Sequence, residues 1–269
     1  MNGSGHEYIT VLTIAGSDGS GGAGIQADLK TIAASGCYGL SVITAVTAQN
    51  TMGVSASHQL SDGFIREQFE TIFSDIRIDA VKIGMLGSGN AAETVSELLE
   101  RLDGVPVVFD TVLRSTGGKT LFPPEELAVM KERLFPLASL ITPNLPESAV
   151  LAGLERVPAT RDEVEECALL LHAGGARSVL VKGGHSEGGE CRDCLLHEGR
   201  FHWYVNPRIE TVNTHGTGCT LSSAIASQLA KGLDLPGAVE RGIEYTRLAL
   251  LAGASWRLGN GHGPLQHFF

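Results

Sequence analysis

Short apolar, β-branched runs alternate with stretches of helical periodicity along almost the whole chain, and this limits the available folds more than any other feature. Runs at residues 8–15, 40–47, 80–83, 105–109, 140–142 and 178–181 read as buried strands. Between them apolar residues recur three and four apart: Ile25, Leu29 and Ile32 over 25–35; Phe64, Ile65, Phe69 and Ile72 over 62–75; Ala91, Val95, Leu98 and Leu102 over 90–102. Further helices are expected over 124–134, after Pro143, over 161–173, within 211–231 and over 236–252. Such alternation implies an α/β fold of parallel strands joined by right-handed helical crossovers, with ligands at the carboxyl ends of the strands. Residues 191–196 and 201–205, joined through Glu198 and Gly199, depart from the pattern and predict an antiparallel hairpin at one edge of the sheet.

A chain of 269 residues can bury a large core, and its 43% hydrophobic and 19% charged content is that of a globular protein rather than a disordered one. No linker, repeat or low-complexity tract interrupts it, so one domain over 1–269 is expected, with residues 1–7 as a flexible tail. The net charge of -10, without clustered Lys and Arg, argues against a nucleic-acid partner. No apolar run approaches the roughly 18–20 residues that span a bilayer. The start, Met1 to His6, lacks the basic-then-apolar pattern of an export signal, so no membrane partner and a cytoplasmic location are expected. Five cysteines suit free thiols better than a disulfide framework. Cys191 and Cys194 form a lone C-x-x-C near His185, His197 and His202, but residues three apart on a strand face opposite sides, which favours structural cysteines over zinc ligands.

Two glycine-rich turns carry the chemistry. Gly19, Gly21 and Gly24 satisfy G-x-G-x-x-G between a strand and a helix, yet the next strand ends in Ala48-Gln49-Asn50, without the acidic residue a dinucleotide ribose needs. This loop is expected to hug another ligand. Leu113 to Thr120 resembles the end of a phosphate loop but lacks its first glycine, and Pro123 and Pro124 interrupt the helix that should follow, so a mobile loop is expected. The stretch Thr214-His215-Gly216-Thr217-Gly218-Cys219 runs directly into a helix, where unpaired N–H groups and aligned peptide dipoles suit an anion. In that field the Cys219 thiol is expected to ionise readily, which makes it a candidate base. Gln49, Met85 and Asp110 sit at strand ends, as do Asn144 and Glu147, which offer an amide and a carboxylate, and Lys182, which suits a phosphate contact.

Four passages, Ala15-Gly16-Ser17-Asp18 with Gly21 to Asp28, Thr47 to Thr51, Lys182 to His185, and Gly216 to Cys219, together resemble the hydroxymethylpyrimidine/phosphomethylpyrimidine kinases of thiamine biosynthesis, members of the ribokinase-like superfamily. The resemblance implies a single three-layer α/β/α domain using ATP and Mg²⁺ to phosphorylate 4-amino-5-hydroxymethyl-2-methylpyrimidine and then its monophosphate. It places Gln49 on the aminopyrimidine edge, with Ala23, Met85 and Asp28 among the substrate-binding residues. Gly216, Thr217, Gly218 and Cys219 become the anion hole, with Cys219 as proton acceptor. Asp110 and Glu147 are implied for the metal, Asn144 beside them, and Lys182 for ATP phosphates; a homodimer is expected. The likeness breaks after Asp110, where the family commonly continues Pro, Val, Met and this chain has Thr111, Val112, Leu113, then Arg114 and Ser115. Pyridoxal kinases that share the fold and the Gly-Thr-Gly-Cys stretch form the nearest alternative, and a non-catalytic nucleotide-binding protein is another. Gln49 favours the pyrimidine, because its amide both donates and accepts.

Overall fold

A computed structural model describes residues 6–115, 117–184 and 188–269. In chain order the elements are β1 (Thr10–Asp18), α1 (Gly24–Ala34), β2 (Tyr38–Asn50), β3 (Gly53–Gln59), α2 (Asp62–Phe73), β4 (Ala80–Ile83), α3 (Gly89–Leu99) and β5 (Val107–Phe109). There follow α4 (Leu127–Val129), β6 (Leu140–Ile141), α5 (Leu145–Ala152), α6 (Arg161–Ala173), β7 (Val179–Val181), β8 (Glu190–His197), β9 (Arg200–Pro207), α7 (Thr217–Ala230) and α8 (Leu235–Gly253). The helical run expected over 124–134 is present but irregular, with a 3-10 turn before α4 and a π-helical turn after it.

One nine-stranded sheet runs in the order β3-β2-β1-β4-β5-β6-β7-β8-β9. The pairs from β2 to β7 are parallel, while β2–β3, β7–β8 and β8–β9 are antiparallel. Both edges therefore end in antiparallel pairs, not one. The missed strand, β3, reads Gly-Val-Ser-Ala-Ser-His-Gln and is mostly exposed, so it carries no apolar alternation to detect. Chain order reverses at β1, which has β2 on one side and β4 on the other, and such a switch point opens a crevice at the carboxyl ends.

The apolar strand runs are explained by burial on both faces. Leu12, Val81, Val107, Phe109, Ile141 and Val179 enter a core completed by Ile65 and Phe69 of α2, Val95 and Leu98 of α3, Leu151 of α5 and Leu171 of α6. Their neighbours Val11, Ala80, Val108, Leu140 and Leu180 enter the opposite core, against Ile32 of α1, Leu221 and Ile225 of α7 and Val239 of α8. Period-two alternation thus distributes one apolar run between two helical layers, each fully buried Val, Leu or Phe contributing about 1.5–3 kcal/mol. Phe64 does not belong to this set: it is 50% exposed, because Ile65 and Phe69 already occupy the buried stripe of α2.

Local signals set the helix starts. Ser61 and Ser88 cap α2 and α3, and Asn144 with Glu147 and Thr160 with Glu163 form reciprocal capping boxes on α5 and α6. The stretch expected as a mobile loop is paired at its two ends: Arg114 bridges Thr120, and the Leu121 N–H donates to the Leu113 carbonyl at 2.9 Å. The turn of the β8–β9 hairpin places Glu198 and Gly199 at φ 48° and 72°, as its sequence predicts. Cys194 is buried in the core while Cys191 lies on the other side, 3.8 Å from Asp193; both thiols are pushed up to about 12 by burial, with Asp193 adding to it. Among the described residues no three His, Cys, Asp or Glu side chains gather as a metal site; His185 lies outside those residues. Of the expected tail, residues 1–5 also lie outside them, and Glu7 reaches Arg77 at 3.3 Å.

Candidate active site

The two glycine-rich turns, far apart in sequence, meet at the carboxyl end of the sheet. The Gly16 N–H donates to the Met85 carbonyl at 3.1 Å, which the Thr44 hydroxyl also reaches at 2.7 Å, so Met85 lies over the first turn. The second turn closes on the first at Gly216. Its φ of 86° is left-handed, and a methyl group there would fall 1.8 Å from the Gly22 carbonyl oxygen, so only glycine permits the approach.

Gly216 is also the N-cap of α7. The Thr220 N–H is the first to bond back along the helix, to the Gly216 carbonyl at 2.9 Å. The preceding N–H groups have no intrahelical acceptor. That of Thr217 turns to the Thr214 carbonyl at 3.3 Å, leaving Gly218 and Cys219 as the backbone donors at the mouth. A methyl group on Gly218 would lie 3.2 Å from Asp110 Oδ2 and 3.3 Å from Lys182 Nζ, so the ends of β5 and β7 converge on the same point.

Lys182 Nζ donates to Asp110 Oδ1 at 2.7 Å, and the Thr142 hydroxyl reaches the same oxygen at 3.1 Å. Burial works against the Lys182 ammonium, but Asp110 and Glu147 outweigh it and its pKa is raised. Glu147 accepts the Asn144 N–H at 3.0 Å and the Leu113 N–H at 3.4 Å, joining the start of α5 to the segment after β5. Burial pushes its carboxyl up to about 6, with Asp110 adding to the rise and Lys182 opposing it. Asn144 spends its side-chain oxygen on the Glu147 N–H at 2.8 Å.

On the other side of the mouth, Gln49 lies with its amide nitrogen 3.1 Å from His215 Nε2, and that nitrogen is 2.8 Å from Asp18 Oδ2. Asp18 is buried, which opposes ionisation, yet hydrogen bonds from His215, Ser20 and the Ala23 N–H hold its carboxyl down at about 2. Neither Asp18 nor His215 stands out as a site residue in sequence; the only signal is that each lies inside one of the glycine-rich passages.

The expected site residues thus separate. Gln49, Ala23 and Met85 gather at the first turn, and Asp110, Asn144, Glu147 and Lys182 gather beside Gly216, Thr217, Gly218 and Cys219 at the second. Asp28 does not join the substrate side. It is 0% exposed, with Lys82 Nζ at 2.8 Å from both oxygens, the Thr13 hydroxyl at 2.6 Å and the Ser223 hydroxyl at 2.9 Å, so no ligand can reach it. Cys219 is placed as expected but its chemistry differs. Burial pushes its thiol up to about 11, and the carboxylates of Asp28 and Asp110 add to this, outweighing Lys82 and the Gly24 N–H. The helix start therefore does not bring the thiol below its ordinary value.

The sequence model of the phosphomethylpyrimidine kinase family matches residues 18–266. The chain is 44% identical over 260 residues to a hydroxymethylpyrimidine/phosphomethylpyrimidine kinase of Escherichia coli, covering 97% of each. It is 47% identical over 258 residues to a thiamine biosynthesis bifunctional protein of Geobacter sulfurreducens, covering 96% of this chain but only 52% of that protein. Among solved structures, an ADP complex of Bacillus subtilis pyridoxal kinase superposes with a TM-score of 0.89 at 34% identity, covering 97% of this chain and 98% of that one. The fold accommodates both vitamin kinases, so the substrate has to be argued from the site.

Proposed function

The chain belongs to the phosphomethylpyrimidine kinase family, and from that premise we propose that it transfers the γ-phosphoryl group of ATP to the hydroxymethyl group of 4-amino-5-hydroxymethyl-2-methylpyrimidine, and then phosphorylates the monophosphate. One observation carries the reading: the start of α7, Asp110 and Lys182 meet at a single point, with Gln49 across the mouth. Phosphoryl transfer asks mainly for positioning and for neutralisation of charge on the equatorial oxygens. The N–H groups of Gly218 and Cys219 and the α7 dipole supply fixed donors, and Lys182 supplies a cation for the ATP phosphates.

Mg²⁺ fits the residues present. The Asp110 and Glu147 carboxylates are hard oxygen donors, and the buried Thr111 hydroxyl beside Asp110 has no partner among the described residues. Asp110 and Glu147 would hold the ion, which supplies further neutralisation of phosphate charge. Asn144, as the cap that orients Glu147, acts beside them. Gln49 meets the ring edge, with Met85 and the backbone near Ala23 as walls of its pocket. Cys219 stands at the helix start as a wall of the anion hole, its thiol raised by burial and by Asp28 and Asp110. With a loose transition state the hydroxyl proton leaves late, so Cys219 remains the proposed acceptor while Asp110 is committed to Lys182 and the ion.

The proposal extends to a single domain over 1–269 working as a cytoplasmic homodimer. Among the described residues no helix is long and apolar enough to cross a membrane. The test is product analysis with ATP and Mg²⁺ against hydroxymethylpyrimidine, its monophosphate and pyridoxal in parallel. Monophosphate and diphosphate are the expected products, and formation of pyridoxal phosphate alone overturns the proposal.

A further inference from the structure

The contacts behind Gln49 determine which way its amide faces. Asp18 Oδ1 accepts from the Ser20 N–H at 2.9 Å and the Ser20 hydroxyl at 2.7 Å, and Oδ2 accepts from the N–H groups of Gly22 at 3.1 Å and Ala23 at 2.8 Å. A carboxylate receiving so many donors carries no proton of its own. The proton between Asp18 Oδ2 and His215 Nε2, 2.8 Å apart, therefore belongs to the imidazole.

Gln49 faces that same nitrogen. With its amide nitrogen 3.1 Å from His215 Nε2, two N–H donors oppose each other. At the other end its carbonyl oxygen lies 3.3 Å from the Thr47 hydroxyl, whose single proton is already committed to the Ser17 carbonyl at 2.8 Å. Two oxygens then oppose each other. The ends of a glutamine amide are isosteric, and the hydrogen-bond network decides between them. Half a turn of the amide relieves both contacts at once: the carbonyl shares the single His215 Nε2–H with Asp18 Oδ2 in a three-centre bond, and the NH₂ donates to Thr47.

We propose that His215, backed by Asp18, is a positioning residue that selects the substrate by locking the Gln49 amide with its carbonyl toward His215 and its NH₂ toward Thr47. The remaining lone pair and the remaining N–H then present the ring with an acceptor and a donor in one fixed order. That order fits a ring carrying an exocyclic amino group beside an unprotonated ring nitrogen. It opposes the oxo counterpart, in which a carbonyl stands beside a ring N–H. A freely turning amide would serve either edge. The inference rests on Gln49 contacting the ring, as assigned above.

The experiment compares kcat/KM for the 4-amino substrate and its 4-oxo analogue, with ATP, in the parent enzyme and in His215→Leu, His215→Gln and Gln49→Met. His215→Gln keeps an N–H donor near the Nε2 position. The amino-over-oxo preference is expected to fall about tenfold in His215→Leu, the worth of one hydrogen bond, and to persist in His215→Gln, with the KM for ATP unchanged in both. Loss of both activities in the same proportion in His215→Leu, with the preference intact, overturns the proposal. An unchanged preference in Gln49→Met shows instead that Gln49 does not contact the ring, which removes the underlying assignment. Should His215→Leu fail to fold, nitrogen NMR of the parent decides: a protonated Nε2 in His215 is expected, and a bare Nε2 overturns the locking.

Discussion

Cys219 shows two influences on one thiol and which of them wins. A helix start favours the thiolate by an amount that fades within a turn. Desolvation and the nearby Asp28 and Asp110 carboxylates act the other way and push the group up to about 11. Alkylation of Cys219 by iodoacetamide, taken as the difference between the parent and Cys219→Ser, is therefore expected to keep rising about tenfold per pH unit from pH 7 through pH 9. A plateau beginning below pH 8 would show the helix start to be dominant. Residue type and motif position made Cys219, Gln49 and Asp110 legible in the sequence. Protonation state was not legible, because it depends on groups 100 and more residues away. Asp28 failed for a related reason: the motif that contains it lines the site, but its side chain points into the protein and meets Lys82.

At the scale of elements, the start of α7 is held by backbone shape. Gly216 and Gly232 share a φ of 86°, but a methyl group at Gly216 would strike the Gly22 carbonyl at 1.8 Å, whereas at Gly232 it would meet nothing within 4 Å. Both alanine variants should lose about 1–2 kcal/mol from left-handed strain. Only Gly216→Ala should also lose activity, by tenfold or more on the order of one misplaced donor. Equal kinetics in the two variants would mean that the contact between the turns does not matter. The helices announced themselves through periodicity and caps such as Thr160 with Glu163, which are local. β3 did not, because an exposed edge strand needs no apolar pattern. Its pairing with β2 is visible only once Asn50 and Gly53 face each other across the turn.

Over the whole molecule, the buried pair of Lys82 from β4 and Asp28 from α1 ties the sheet to the layer that carries the site. Both side chains are fully buried, and Ser223 of α7 joins them through the Asp28 carboxylate. Asp28 raises the Lys82 pKa despite burial. Lys82→Met leaves a carboxylate without its cation and is expected to cost about 3–5 kcal/mol in denaturant unfolding. Adding Asp28→Asn should recover part of that loss, since the uncompensated charge is what destabilises; a single variant within 1 kcal/mol of the parent would contradict this. The sequence by itself determined the parallel α/β architecture, most element positions and which candidate residues stand at strand ends, because these follow from period-two and period-3.6 burial and from short-range turn geometry. Only the tertiary structure decided which strand ends share a mouth, how Gly216 reaches Gly22, that Asp28 is buried, and that His215 lies against Gln49. Those outcomes depend on the order of strands in the sheet and on desolvation by distant residues, quantities that no local pattern carries. The helix start at Cys219 was visible in the residues, while its acidity and its neighbours were set by the fold.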